Sequence, residues 1–239
     1  MESQSIAERA RLVQERVQRA CRRSGRSPSD ITVVCVTKHA RIEDVAAVVR
    51  SGWRILGENR AQEAERKQAA LSAVLSPAEL AGLQWHMIGH LQTNKAARVV
   101  EWASLIQSVD SARLAQVIDR AAAGHARRIA CLAQVNISQE QAKFGTGWDQ
   151  VEALISGMQE LSHVDCAGLM GIAPLAQEPE LSRPYFVRLR QLWEELNLRQ
   201  RSRAQPQLRV LSMGMSNDFE VAIEEGATMV RVGTAIFGG

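Results

Sequence analysis

Residues 31–50 read ITVVCVTKHARIEDVAAVVR, a short apolar run followed at once by an amphipathic stretch. The run at 31–38 is rich in β-branched residues, which predicts a strand that is buried on both faces. In residues 42–50 the apolar positions recur at helical spacing. A strand followed by a helix is the unit from which parallel sheets are built.

The same alternation recurs along the chain and predicts eight strand–helix units, the last closed by a short helical turn or tail. The other predicted strands are 54–59, 84–90, 105–110, 129–136, 164–173, 208–213 and 229–232. Helical patterns include 42–50, 61–75, 112–123, 151–161 and 185–198. No linker divides the 239 residues, and a barrel of eight such units typically needs about 250. The sequence therefore predicts an α/β fold, a single TIM-type (β/α)8 barrel over residues 1–239, with a doubly wound open sheet as the alternative.

An extra helix is predicted before the barrel. Apolar residues on one helix face recur at steps of four and three: Ile6, Ala10, Val13, Val17 and Ala20. Gly25 and Pro28 are expected to end this helix. We expect residues 1–27 to form an N-terminal helix that packs on the barrel.

Composition and charge exclude several classes of protein. The formal net charge of +3 gives no footprint for a nucleic-acid partner. No apolar run reaches transmembrane length, and the N-terminus is too charged for a secretory signal. The cysteines form no CxxC pair and are expected to be buried in a reducing compartment: Cys21, Cys35, Cys131 and Cys166. We expect a cytoplasmic protein with neither a nucleic-acid nor a membrane partner.

In a TIM barrel the functional site lies at the carboxyl ends of the strands, and this rule singles out Lys38. Lys38 ends the first predicted strand. A lysine at such a place is usually solvated. If the barrel surrounds it, partial desolvation lowers its pKa and makes the neutral amine available as a nucleophile that can form a Schiff base.

The loops after the seventh and eighth strands are where such barrels often bind phosphate. Ser212 lies at the end of the seventh predicted strand and Gly214 follows it, and Gly233 and Thr234 follow the eighth. These stretches offer small residues, hydroxyls and free backbone N–H groups, which suit a phosphate. The alternative is that the glycines only form turns.

Arg231 lies inside an otherwise apolar strand. Alternation places it on the same side as Met229 and Gly233, facing the barrel interior. A buried guanidinium needs a partner, either a structural carboxylate or a ligand that accepts hydrogen bonds.

His86 and His90 invite a metal interpretation, which the predicted strand argues against. At about 3.3 Å per residue they would lie roughly 13 Å apart, too far to share one ion. We expect no metal site, although His90 at the strand end is expected near the pocket.

Two further polar residues leave alternatives open. Asn59 ends the second predicted strand and either lines the pocket or forms a capping box with Gln62. Lys143 follows the fifth strand and is either a loop lysine or a second amine near the mouth.

Long stretches of the chain resemble the pyridoxal 5′-phosphate (PLP) homeostasis proteins, also called PLP-binding barrel proteins. These stretches are WHMIGHLQTNK (85–95), LGEN (56–59), QVNIS (134–138) with KFG (143–145), GLM (168–170), LSMGMSNDFE (211–220) and EGATMVRVGTAIFG (225–238). The resemblance runs from about residue 31 to the end. It departs at Arg60, where the family pattern has a tyrosine.

The resemblance implies a barrel similar to the N-terminal domain of alanine racemase, with PLP bound covalently to Lys38. It implies phosphate contacts from Ser212, Gly233 and Thr234, and it places Asn59, His90 and Arg231 on the ring side. An arginine beside a pyridine nitrogen would leave that nitrogen unprotonated and weaken the ring as an electron sink. The implied function is intracellular PLP (vitamin B6) and amino-acid homeostasis, without established catalytic turnover.

Two enzymatic functions remain as alternative hypotheses. A PLP-dependent amino-acid racemase of the alanine racemase type would need a tyrosine from a second domain, and the sole tyrosine here is Tyr185. A cofactor-free Schiff-base aldolase would share Lys38 and the phosphate site. For the binding protein we expect a monomer whose partners are PLP and PLP-dependent apo-enzymes that receive the cofactor.

Overall fold

A computed structural model describes residues 5–138, 140 and 144–238. Eight parallel strands form a closed barrel in chain order, and the eighth strand pairs with the first. They are β1 (Thr32–Val36), β2 (Ile55–Glu58), β3 (Gln84–Met87), β4 (Leu105–Val109), β5 (Ile129–Val135), β6 (Val164–Gly171), β7 (Val210–Ser212) and β8 (Met229–Val232). The predicted barrel is confirmed, and the open doubly wound sheet is wrong because β1 and β8 close the ring.

Several predicted strands run past the observed strand ends at the carboxyl side. Lys38, Asn59 and His90 were placed inside strands, but β1, β2 and β3 end at Val36, Glu58 and Met87. The polar residues that follow leave the ladder and enter the loops at the mouth of the barrel. The prediction therefore identified the right segments but extended these strands too far at their carboxyl ends, where the site lies.

Ten α-helices surround the barrel in the described part of the chain. They are α1 (Ile6–Ser24), α2 (Ile42–Arg50), α3 (Ala61–Val74), α4 (Pro77–Leu80), α5 (Ala96–Trp102), α6 (Ala112–Gly124), α7 (Val151–Gln159), α8 (Arg183–Ser202), α9 (Phe219–Glu224) and α10 (Thr234–Phe237). Short 3₁₀ turns lie at Pro28–Asp30, Thr93–Lys95 and Pro179–Ser182. The sequence pattern did not resolve α4, α5 and α9, which are too short to show a helical period.

Helix α1 packs on α2, α9 and α10 at the outside of the barrel. Its buried face consists of Ala10, Val13, Val17, Ala20 and Cys21. Gly25 ends it in the left-handed conformation, with φ of 67°, as expected of a glycine at a helix C-terminus.

The barrel interior contains an apolar cluster and a set of buried polar side chains. The interior apolar cluster contains Val34, Leu105, Leu132, Ala167, Met170 and Met229. The polar set contains His86, Gln107, Ser212 and Arg231, all buried. Outside the strands, a larger apolar cluster fills the space beneath the helices. The four cysteines are free and buried, as predicted.

Within the described residues, no helix has the length and apolar character required to cross a membrane.

Candidate functional site

The carboxyl ends of the strands surround a cavity of about 390 Å³. Its position is the one at which TIM barrels bind ligands. Six of the seven residues predicted from the sequence line this cavity: Lys38, Asn59, His90, Arg231, Gly233 and Thr234. The seventh, Ser212, is fully buried beneath it.

Lys38 lies two residues beyond the end of β1 and is exposed. Together with Asn59 it lines both the main cavity and an adjoining cavity of about 310 Å³. The expected partial desolvation of its amine is not found, because the barrel wall ends before Lys38. The next residue, His39, has a φ of 63°, a conformation that is uncommon for residues other than glycine and that often marks functional sites.

A buried ion pair anchors the residue that precedes Lys38. The Lys67 Nζ donates to Glu58 Oε1 at 2.6 Å and also to the backbone carbonyl of Thr37. The Thr37 hydroxyl donates to the same Glu58 oxygen at 2.7 Å, and the Thr37 N–H donates to the Gly57 carbonyl at 3.0 Å. The start of the Lys38 turn is thereby fixed to β2 and α3.

Sequence reasoning missed this ion pair. The buried face of α3 is Ala61, Ala64, Lys67 and Leu71, so Lys67 stands at an apolar position of the helical period. A lysine on the buried face of a helix was the available signal, since a buried charge requires a partner.

Asn59 follows β2 and is half-buried at the wall of the cavity. The capping-box alternative for Asn59 and Gln62 is wrong, because Arg60 is the N-cap of α3 and makes no side-chain cap hydrogen bond. Gly89 permits the close approach of the next loop. A Cβ at Gly89 would lie 2.4 Å from the Asn59 carbonyl oxygen.

His90 is at the mouth, stacked on an aromatic ring. Its ring centroid lies 3.9 Å from that of Phe144, with an interplanar angle of 12°. Its Nδ1 lies 3.4 Å from Asp110 Oδ2. Phe144 is 57% exposed and therefore forms an apolar rim above the cavity. Lys143, which precedes it, lies outside the described residues.

His86 points into the barrel instead of toward the mouth. Burial lowers the pKa of His86 to about 4, and its Nδ1 lies 3.1 Å from Gln107 Nε2. Among the described residues, no group of three or more His, Cys, Asp or Glu side chains is placed to hold a metal ion.

Ser216 joins the loops that follow β7 and β8, and sequence reasoning did not select it. Its Oγ accepts hydrogen bonds from the Gly233 N–H at 3.0 Å and the Ala235 N–H at 3.3 Å. A Cβ at Gly233 would lie 2.9 Å from the Val36 carbonyl oxygen. The glycine therefore lets the β8 loop lie against the end of β1.

Several backbone donors of the two loops have no acceptor within the described part of the chain. These are the N–H groups of Ser216, Asn217 and Thr234, and all three residues line the cavity. Unpaired N–H groups from a loop and a helix start that line one cavity are suited to an anion with several oxygens.

Arg231 faces the interior, as alternation predicted, and lies at the floor of the cavity with 4% exposure. Burial lowers its pKa to about 10, with the charge of Asp218 acting in the opposite direction. The structural carboxylate considered as its partner is not found among the described residues. Instead Arg231 donates to the Ser212 hydroxyl at 2.6 Å and the Gly171 carbonyl at 2.9 Å.

The sequence matches the family described as the alanine racemase N-terminal domain over residues 11–239. The solved structure of an alanine racemase from Clostridium difficile is similar with a TM-score of 0.70, at 15% identity. The match covers 97% of this chain and 56% of that one. At this identity the likeness concerns the fold alone.

More similar chains match over nearly their whole length. The pyridoxal phosphate homeostasis protein of Aquifex aeolicus is 40% identical over 234 residues, 98% of each chain. That of Escherichia coli is 34% identical over 233 residues, 98% of this chain and 96% of the relative. PipY of Synechococcus elongatus, solved with PLP bound, has a TM-score of 0.78 at 35% identity and covers 93% of this chain and 100% of its own. This chain therefore belongs to the family of pyridoxal phosphate homeostasis proteins.

Proposed function

We propose that this chain binds PLP as a Schiff base on Lys38 and takes part in intracellular PLP (vitamin B6) and amino-acid homeostasis. One observation carries the proposal: the exposed Lys38 shares a cavity with unpaired backbone N–H groups of the β7 and β8 loops. The names of the relatives and the PLP bound to PipY support it.

The phosphate is assigned to the β7 and β8 loops. Gly233 and Thr234 keep the role that the family resemblance implies, through a close backbone approach and a hydroxyl. Ser212 is bonded to Arg231 and Gln107 beneath the floor, so we assign the serine contact to Ser216. Since the Ser216 oxygen already accepts two N–H groups, its own proton is free to point to a phosphate oxygen.

The ring is assigned to the space between Asn59, His90 and Arg231, which line the same cavity. With a pKa of about 10, Arg231 stays charged at neutral pH and only donates hydrogen bonds. Beside a pyridine nitrogen it keeps that nitrogen unprotonated. This weakens the ring as an electron sink and favours a carrier of PLP over a catalyst.

PLP, when bound, would supply an aldehyde able to condense with a neutral amine, with release of one water. Two described lysines line the cavities, and their surroundings differ. The Lys67 side chain is buried, and its Nζ already donates to the Glu58 carboxylate and to the Thr37 carbonyl. Lys38 is exposed, and it is therefore the amine that we assign to the bond.

The open mouth fits the delivery of PLP to another protein. Phe144 and Leu175 are exposed at the rim, at 57% and 90%, and neither closes the cavity. We propose that recipient amines, including those of PLP-dependent apo-enzymes, reach the cofactor here, and that the protein acts as a monomer. Bound PLP that proves inaccessible to added amines or apo-enzymes would refute this part.

The racemase alternative finds no support at the mouth. The sole tyrosine of the sequence, Tyr185, lies in the first turn of α8 and packs against the outer apolar cluster. The second base that such a racemase needs is therefore not supplied by a tyrosine of this chain.

The decisive experiment is the visible absorption spectrum of the protein with added PLP, before and after borohydride, compared with Lys38→Ala. We expect a reducible band that disappears in the variant, and a peptide carrying the reduced cofactor at Lys38. If no band forms with PLP, the cofactor-free aldolase becomes the leading function. If the band persists in Lys38→Ala, the anchor is another lysine.

A further inference from the structure

A continuous chain of hydrogen bonds crosses the barrel interior beneath the cavity. Arg231 on β8 donates to Ser212 on β7 at 2.6 Å. The Ser212 hydroxyl donates to Gln107 Oε1 on β4 at 2.7 Å. Gln107 Nε2 lies 3.1 Å from His86 Nδ1 on β3 and 3.1 Å from Met229 Sδ. Five side chains from four strands are thus connected, and all are buried.

The charge of Arg231 fixes the donor and the acceptor of each hydrogen bond that links these side chains. A guanidinium only donates, so the Ser212 oxygen accepts and its one proton goes to the Gln107 carbonyl oxygen. The Gln107 amide nitrogen then faces His86, which must accept at Nδ1 and carry its proton on Nε2. The low pKa of His86, about 4, keeps the ring neutral and able to accept.

Of the side chains in this hydrogen-bond network, Arg231 is the one at the cavity end. Arg231 lines the cavity, whereas Ser212, Gln107 and His86 do not. Since Arg231 has no carboxylate partner among the described residues, its orientation depends on the Ser212 hydroxyl and the Gly171 carbonyl. The Ser212 hydroxyl depends in turn on Gln107, its acceptor.

We propose that Gln107, acting through Ser212, is a positioning residue that holds the Arg231 guanidinium toward the cofactor ring. The proposal rests on the assignment of PLP to this cavity and names the residues that set the electronic environment of its ring. Without an acceptor at position 107, the Ser212 proton has no partner. The hydroxyl is then free to rotate, and the Arg231 guanidinium loses an acceptor of fixed orientation.

The test compares Gln107→Leu and Gln107→Glu. The first variant removes the acceptor for Ser212, and the second keeps it. We expect Gln107→Leu to bind PLP about tenfold more weakly, the effect of one lost hydrogen bond to a charged system, and to shift the absorption maximum of the bound cofactor. Gln107→Glu should recover most of both properties, because its carboxylate still accepts from Ser212 and a neutral His86 that carries its proton on Nδ1 can donate to the other carboxylate oxygen.

Leu132→Val serves as the matched control, since Leu132 is fully buried in the interior apolar cluster and makes no hydrogen bond to the polar side chains. We expect it to lower thermal stability while leaving the spectrum unchanged and the affinity within about twofold of the native protein. Equal spectra and affinities for Gln107→Leu and Leu132→Val would overturn the positioning role, as would a Gln107→Glu variant no better than Gln107→Leu.

Two further measurements cover a variant that does not fold and separate the positioning role from the binding of PLP itself. If Gln107→Leu does not fold, Ser212→Ala, which removes one oxygen, carries the same comparison with Leu132→Val. Borohydride reduction of the native protein separates the two levels of inference. A reducible adduct on Lys38 together with an unchanged Gln107→Leu spectrum refutes the positioning role alone, whereas no adduct in the native protein refutes the assignment of PLP.

Discussion

The Ser216 hydroxyl oxygen lies 3.0 Å from the Gly233 backbone nitrogen, and this bond joins the loops after the seventh and eighth strands. The same oxygen also accepts from Ala235. One serine thus sets the spacing between two loops whose residues line the cavity and carry N–H groups with no acceptor in the described part of the chain. The proposed phosphate site depends on that spacing as much as on the individual donors.

Replacing Ser216 tests this dependence. Ser216→Ala removes one phosphate donor and releases two backbone N–H groups, so we expect PLP affinity to fall at least about tenfold. A fluorescence titration with PLP measures the effect. Ser72→Ala, at an exposed serine of α3, is the control and should bind like the native protein. Equal affinity of the two variants would remove Ser216 from the site.

Thr234 is exposed at the start of α10 and lines the cavity. Thr234→Val keeps the shape of the side chain and removes its hydroxyl. We expect PLP affinity to fall about tenfold, with the thermal midpoint of the apo-protein unchanged because the side chain is not part of the core. Native affinity in this variant would show that the hydroxyl does not contact the phosphate.

The buried pair of Glu58 and Lys67 makes a prediction about stability. Lys67→Met leaves the Glu58 carboxylate buried at 1% exposure without its partner, a change that typically costs about 3–5 kcal/mol. Urea unfolding of the apo-protein measures the loss. The double variant Glu58→Gln, Lys67→Met should regain much of it, because no unpaired charge remains.

A surface ion pair supplies the control for this prediction. Arg41 pairs with Asp44 at the start of α2, and the Arg41 side chain is 77% exposed. We expect Arg41→Met to change stability far less, since solvent screens such pairs. If Lys67→Met is no more destabilising than Arg41→Met, the ion pair does not anchor the Lys38 turn.

The repeated strand–helix pattern was sufficient to predict the barrel, because eight short apolar runs separated by helical periods leave few other topologies. The residues at the ends of those runs then converged at one mouth, which is why Lys38, Asn59 and His90 were found together. The exact strand ends were not predictable. Whether a polar residue such as Asn59 continues the β-ladder depends on the residues opposite it on neighbouring strands. The spacing of residues in the sequence does not reveal these partners.

The interior contacts required the three-dimensional structure. Ser212 and Ser216 are four residues apart in one motif, and only the direction of the chain after β7 decides that one is beneath the floor and the other at the cavity. The Glu58–Lys67 pair joins a strand to a helix. Gln107 carried a usable signal, a polar residue in a strand that is buried throughout, but its partners lie on other strands.

His86 makes a prediction about pH. Burial lowers its pKa from 6.5 to about 4, so between these values the unfolded chain binds a proton that the folded chain does not. The stability due to neutral His86 is therefore present above about pH 6.5 and is lost as the pH falls toward 4. The loss amounts to about 3 kcal/mol. Denaturant unfolding of the apo-protein at several pH values between 4 and 7.5 measures it.

His86→Gln isolates this contribution, because glutamine does not titrate and its carbonyl oxygen can still accept from Gln107. Carboxylates with lowered pKa, such as Glu152 and Glu224, lose their contribution at lower pH and are common to both proteins. The difference between the two stability curves should therefore grow as the pH falls through the window of His86. Curves that stay parallel from pH 6.5 to 4 would mean that the folded protein protonates His86 as readily as the unfolded chain does. The hydrogen bonds that link the buried polar side chains beneath the cavity would then not depend on a neutral His86 imidazole.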